Sequence, residues 1–190
     1  AVVINNGNGI LITSSSRSNV IGGILAGEAN TIYFNGGDGI GVAAATANTN
    51  NAFRGNLIFG SGASGIDLGT SGITANDNGD AEVGANQLQN FPVLTSVSNT
   101  ATTVFITGTL NSRPSTTYAI DFFSSVEADT VLNGEGQFYI GSTNLATGAD
   151  SNLAFTVSIP LVLQGRHVSA TATDPSGNTS EFSVAAASGR

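Results

Sequence analysis

The densest group of hard oxygen donors in the chain lies between residues 77 and 82: Asp77, Asn78, Asp80 and Glu82, with Gly79 and Gly84 beside them. Carboxylate and amide oxygens on a loop that glycine lets bend are ligands of the kind calcium takes. The spacing is not that of an EF-hand, since no closing Glu stands where that loop needs one. The same residues also suit an Asx-turn loop whose carboxylates cap nearby backbone amides. Calcium is therefore the candidate cofactor, with Asp77, Asn78, Asp80 and Glu82 as its ligands, beside a cation-free capped loop.

Other chemistry-bearing residues are sparse. His167 is the single histidine, and with Ser residues scattered along the chain it supports no triad. There is no Cys and no Lys, which excludes disulfides, thiolate nucleophiles, Cys-bound zinc and a lysine phosphate loop. Asp38 precedes Gly39 and reads as a turn former, as does Asp174 in its DPSGN stretch. Arg17 and Arg54 have no carboxylate aligned with them. Asn178-Thr179-Ser180 is a glycosylation sequon, which makes Asn178 the modification candidate.

Upstream of the acidic group the chain repeats. Gly9-Ile10-Leu11-Ile12 aligns with Gly39-Ile40-Gly41-Val42 and with Gly65-Ile66-Asp67-Leu68. Asn19-Val20-Ile21 then falls against Asn51-Ala52-Phe53, and Asn30-Thr31-Ile32 against Asn56-Leu57-Ile58. Short strands in fixed order, each preceded by Gly or Asn, predict the coils of a parallel β-helix. Ile10, Ile40 and Ile66 form one interior column, Ile12, Val42 and Leu68 a second, and Ile21 over Phe53 and Ile32 over Ile58 the other walls. Asn19 over Asn51 and Asn30 over Asn56 are expected to bond along the axis. A flat antiparallel sheet with Asn-Gly hairpins is the competing arrangement, because NGNG and NGGDG suit hairpins. The outward column of the first wall reads Leu11, Gly41, Asp67, which is no row of acids.

From Phe91 the pattern becomes one of longer alternating strands. Candidates are 91–98, 101–110, 116–125, 136–143, 153–160, 167–173 and 179–185, separated by NSRPS, NGEG, TGADSN, LQG and DPSGN. That number of strands fits an immunoglobulin- or fibronectin III-like β-sandwich. The fold class is thus all-β: a short right-handed parallel β-helix over residues 1–75, an acidic Gly/Asn-rich elbow over 76–90, and a β-sandwich over 91–190. The join GIDLG…ND…D…GANQLQNFPVLTSV, with the closing ATATDPSGNTSEFS, resembles the end of large bacterial surface proteins in which right-handed β-helix repeats pass into a C-terminal β-sandwich. That resemblance implies an architecture and a location at the cell surface.

Composition narrows the partners. Five Arg against 13 acidic groups leave a net charge of −8, which repels nucleic acid and anionic membranes. No apolar run approaches the roughly 20 residues of a membrane-spanning helix. The chain opens inside a repeat, which predicts a mature or excised segment. An extracellular structural or adhesive module at the cell surface is the expected function; a polysaccharide-binding or polysaccharide-degrading β-helix module is the alternative. The opening strand Ala1, Val2, Val3, Ile4, Asn5 and Asn6 is apolar and free of charge and Pro. It is expected to pair with a neighbouring copy, stacking on its coil or adding to a sheet edge, and so to build a filament. Other copies of the chain, and surface polysaccharide, are thus the expected partners. A stable fragment of a longer protein is the competing account.

Overall fold

A computed structural model describes residues 7–127, 134–163 and 165–189. Ala1 to Asn6, the proposed connecting strand, lie outside the described residues. The fold is all-β, and its one helical element among them is a 3-10 turn at Ala85–Leu88.

The aligned repeats pair as parallel ladders. β1 (Ile10–Ile12), β4 (Ile40–Ala43) and β7 (Ile66–Gly69) stack with Ile10 on Ile40 on Ile66, and Ile12 on Val42 on Leu68. β2 (Val20–Gly22) pairs with β5 (Ala52–Arg54), placing Ile21 on Phe53. β3 (Thr31–Tyr33) pairs with β6 (Leu57–Phe59), placing Ile32 on Ile58. All three ladders send these side chains into one apolar cluster, where Ile40, Val42, Ile58, Ile66 and Leu68 are almost fully buried. Burial of that kind stabilises by about 2 kcal/mol per side chain. The hairpin alternative is overturned by the parallel registers.

Polar rungs run beside the apolar columns. Asn19 donates from Nδ2 (2.8 Å) and from its backbone N (3.2 Å) to Asn51 Oδ1. Asn30 does the same to Asn56 Oδ1, at 3.0 and 3.1 Å. At the third corner Asp38 N donates to Asn8 Oδ1, and Ser64 N donates to Asp38 Oδ1. Asp38, read as a turn former, is thus also a rung.

Two antiparallel sheets follow. One holds β8 (Val93–Asn99), β9 (Val104–Asn111) and β12 (Asn152–Ile159) in the order β12-β9-β8. The other holds β10 (Thr117–Ser125), β11 (Phe138–Ala146), β13 (His167–Thr173) and β14 (Ala186–Ala187) in the order β11-β10-β13-β14. Val104, Ile106, Leu110 and Phe155 from the first sheet meet Tyr118, Ile120, Phe122, Val168, Ala170 and Ala172 from the second. Within the first sheet Gly108 leaves room for its neighbours, because a Cβ there would lie 2.7 Å from Val93 O and 2.8 Å from the Phe155 ring.

β10 is buried on both faces. Tyr118, Ile120 and Phe122 enter the core between the sheets, while Phe123 and Phe182 join the cluster of the three parallel ladders. The two halves therefore meet across a packed layer. One expected strand is absent: residues 179–185 stay irregular apart from a single bridge from Thr179 to Thr173. Ser180 and Ser183 take the place of strand residues. Each donates its backbone N to β13 and accepts a β13 backbone N on its hydroxyl, at Ala172 and Ala170 respectively. Their spacing of three, against two along a regular strand, turns Glu181 and Phe182 toward the parallel ladders.

Candidate functional site

The acidic loop is built by amide side chains that mimic backbone. Asn76 brackets Phe91, donating from Nδ2 to Phe91 O (2.8 Å) and accepting Phe91 N on Oδ1 (2.9 Å). Asn90 accepts Asp77 N and donates to Asp77 O, and also to Asn111 O on β9. Asn111 Oδ1 in turn accepts Gly79 N at 2.6 Å. The loop is thereby fixed to the first antiparallel sheet at several backbone positions.

Three of the four residues proposed as ligands converge. Asp77, Asp80 and Glu82 each place a carboxylate oxygen within 4.8 Å of the others. Asn78, the fourth residue of that expectation, lies in the same loop and is exposed. Asp80 is buried, with Oδ1 accepting Asn90 N (3.1 Å) and Oδ2 accepting the Ser112 hydroxyl (2.7 Å); Ser112 Oγ also lies 2.7 Å from the Tyr118 hydroxyl. Asp77 Oδ2 accepts Ala81 N, whereas Asp77 Oδ1 and Glu82 Oε2 are solvent-inaccessible without a hydrogen-bond partner. Burial pushes Glu82 up to about 7, helped by its contact with Asp77, and the same contact holds Asp77 below the usual carboxylate range. Burial also raises Asp80. The cluster has two chemical options: sharing a proton between Asp77 and Glu82, or replacing that proton with a divalent cation.

The other sequence candidates are dispersed. Asp67 is buried and accepts Gly72 N, and burial raises its carboxyl. His167 begins β13, opposite Ala187. Asn178 is 1% exposed. Its Nδ2, the atom a glycan would occupy, donates to Asp174 Oδ2, and its Oδ1 accepts Asn50 N at 2.6 Å. The folded chain leaves no room for a glycan at Asn178, so the sequon is a structural turn. Asp174 completes that turn by accepting Ser176 N and Asn178 N.

A second constellation has no counterpart in the sequence reading. Arg54 does acquire a carboxylate, from the other half of the chain. Its Nε and Nη2 reach Asp121 Oδ2 (3.0 Å) and Oδ1 (2.6 Å), and Nη2 also donates to Ser142 Oγ. Glu135 accepts Gly60 N and Ser61 N. Glu181, fully buried, accepts Leu68 N (3.0 Å) and Thr74 N (3.1 Å), and burial pushes it up to about 7. Asn86 and Thr179 receive Asn51 N and Phe53 N, while Gly136 exchanges both backbone bonds with Ile58. Every ladder thus ends on residues of the loop or of the second half. Glu and Asp residues more than 50 positions away carry no sequence signal for such pairing; Asn86 carries one, standing 35 residues after Asn51 as Asn51 stands 32 after Asn19. No protein-family model and no curated protein matches the chain.

Proposed function

We propose that the chain is a short right-handed parallel β-helix closed by an immunoglobulin- or fibronectin III-like β-sandwich, and that it serves as an extracellular structural or adhesive module at a cell surface. The observation that carries this reading is the asymmetry of the coil. β7, β5 and β6 end on the chain's own loop and second half, whereas β1, β2 and β3 are the terminal strands of their ladders among the described residues. A stack closed at one end and extendable at the other suits a unit that terminates or joins an assembly. The polar, Lys-free surface and the embedded rungs suit a load-bearing role.

Self-assembly through Ala1 to Asn6 takes a specific form in this reading. A neighbouring copy offers no free coil face at its closed end, so coil-on-coil stacking in one direction is blocked. The remaining route is addition of the opening strand to a sheet edge of the next copy, at β11 or β12, since the β8 edge is bridged to the chain just after β14 through Val97 and Ser188. Such a contact is heterologous and propagates. Calcium at Asp77, Asp80 and Glu82 would fasten the loop beside the closure, and the two unpartnered oxygens support it.

Analytical ultracentrifugation with electron microscopy tests the assembly. The intact chain is expected to form filaments with rising concentration, and a chain lacking residues 1–6 is expected to stay monomeric. An intact chain that remains monomeric, or identical filaments from the truncated chain, ends this part of the reading.

A further inference from the structure

The outer side of β3 and β6 carries a group of exposed aromatic rings. Tyr33 stacks on Phe59, with centroids 5.4 Å apart and planes at 14°, and Phe34 stands edgewise to both at 5.4 and 6.0 Å. Tyr33 is 53% exposed and Phe34 64%. Phe34 has a left-handed backbone at φ 53°, which is costly for a bulky side chain. The pairing of Tyr33 with Phe59 puts Phe34 and Gly60 at the same place in successive coils. Gly60 is also left-handed, at φ 66°, and there glycine is the unstrained choice.

The first coil thus keeps a strained phenylalanine where the second has glycine, and most of that ring faces solvent. Burial in the core does not offset the strain. Gly60 instead acts as the seat of the ring, since a Cβ on it would come within 2.7 Å of Phe34 Cδ1. The result is a ring fixed in one orientation beside a stacked pair. Such preorganisation lowers the entropy lost when a ligand docks.

We propose that Tyr33, Phe34 and Phe59 form a binding platform for a neutral pyranose saccharide, the ligand through which an adhesive module would hold a glycan surface. This rests on the adhesive reading for its biological role, while the site itself stands on the rings. Aromatic faces carry negative charge density and attract the weakly positive C–H face of a sugar whose substituents are equatorial. The net charge of −8 disfavours anionic glycans. Size favours a sugar over a protein: at about 200 Å² per ring, the exposed ring surface is roughly 250 Å², against about 800 Å² per partner in a stable protein interface.

Saturation-transfer NMR on the intact chain, with cellotetraose as probe and tetragalacturonate as the anionic control, tests the site. Saturation of the aromatic protons should reach the ring protons of cellotetraose and those of tetragalacturonate far less. Phe34→Gly should weaken binding at least about tenfold, while the melting temperature stays within about 4 °C as relief of strain offsets the lost ring contacts. Phe34→Asn, which also accepts a left-handed backbone, should show the same loss. No transfer to cellotetraose, unchanged affinity in both variants, or a preference for tetragalacturonate would overturn the proposal. So would concentration-dependent broadening of the aromatic signals without sugar binding, which would assign the platform to a second copy. Binding of cellotetraose in solution by a chain that fails to adhere to glycan-coated beads would sink the adhesive reading alone.

Discussion

Asn86 Oδ1 accepts the backbone N of Asn51 at 3.1 Å, and Asn86 Nδ2 donates to the backbone O of Asn51 at 2.7 Å. One side chain thus supplies both bonds that a further strand of the ladder would have made. It continues the series in which Asn51 receives Asn19, but from a loop. To present it, Asn86, Gln87 and Leu88 all adopt left-handed backbone at φ 47°, 57° and 50°. Three non-glycine residues in that region are costly, and the bonds of Asn86 to Asn51 and Thr179 help hold them there.

Asn86→Ala should therefore strand the Asn51 N–H in a buried setting, leave Asn51 O only the long bond from Thr179 N (3.5 Å), and lower unfolding free energy by about 3 kcal/mol in urea. Asn86→Gly loses the same bonds but fits the backbone, so it should cost about 1 kcal/mol less. A change under about 0.5 kcal/mol for Asn86→Ala would show that Asn86 closes nothing.

The pair Arg54–Asp121 predicts a non-additive cycle. Asp121 is fully buried, and Arg54 is its bidentate partner. Arg54→Leu leaves that carboxylate unpaired and should cost about 3–5 kcal/mol, whereas the double variant Arg54→Leu with Asp121→Leu should cost much less. Additive losses in thermal unfolding would show that the pair contributes no coupling between the halves.

These cases show why part of the molecule was legible from the sequence. The Gly-Ile starts and the Asn corners recur at short range, so the registers of Ile10 with Ile40 with Ile66 and the Asn19–Asn51 bond follow from spacing alone. The same holds for the alternation in Val104, Ile106 and Leu110. Contacts between halves follow from no period: nothing local connects Arg54 to Asp121 or Glu181 to Leu68. Residues 179–185 alternate well enough to suggest a strand, yet paired Ser hydroxyls and a buried Glu won over that pattern. Among the acidic residues the density of Asp77, Asp80 and Glu82 in one Gly-bounded loop was enough to locate the cluster.

Glu181 sets a pH dependence. Its folded pKa, pushed up to about 7 from 4.5 by burial, lies above the unfolded value. The folded chain then binds more protons between those pH values, so the contribution is fully present below about pH 4.5 and is lost as pH rises toward 7. Its full size is about 3 kcal/mol, an order-of-magnitude figure. Glu82, raised in the same direction, steepens the decline. Glu181→Gln cannot ionise and should flatten the dependence over this window, as read from urea midpoints at successive pH values. An equally steep slope in the variant would contradict the assignment.

Calcium, if bound at Asp77, Asp80 and Glu82, must displace the proton that Glu82 retains near neutrality. Titration calorimetry near pH 6.5, in buffers of different ionisation heat, should show release of up to about one proton per ion. Calcium should also raise the melting temperature, and Glu82→Gln should abolish both effects. An unchanged melting curve when metal-loaded protein meets excess chelator would remove calcium from the account.

The parallel ladders end on the loop and second half of the same chain, which predicts one cooperative body. Native-state hydrogen exchange at Asn51, Phe53 and Leu68 tests it most directly, because their amides are held by Asn86, Thr179 and Glu181. These amides should open only with the β9 and β10 core, at the same free energy and with the same denaturant dependence. Exchange of the three through a smaller opening, several kcal/mol cheaper, while β9 and β10 stay protected would contradict it.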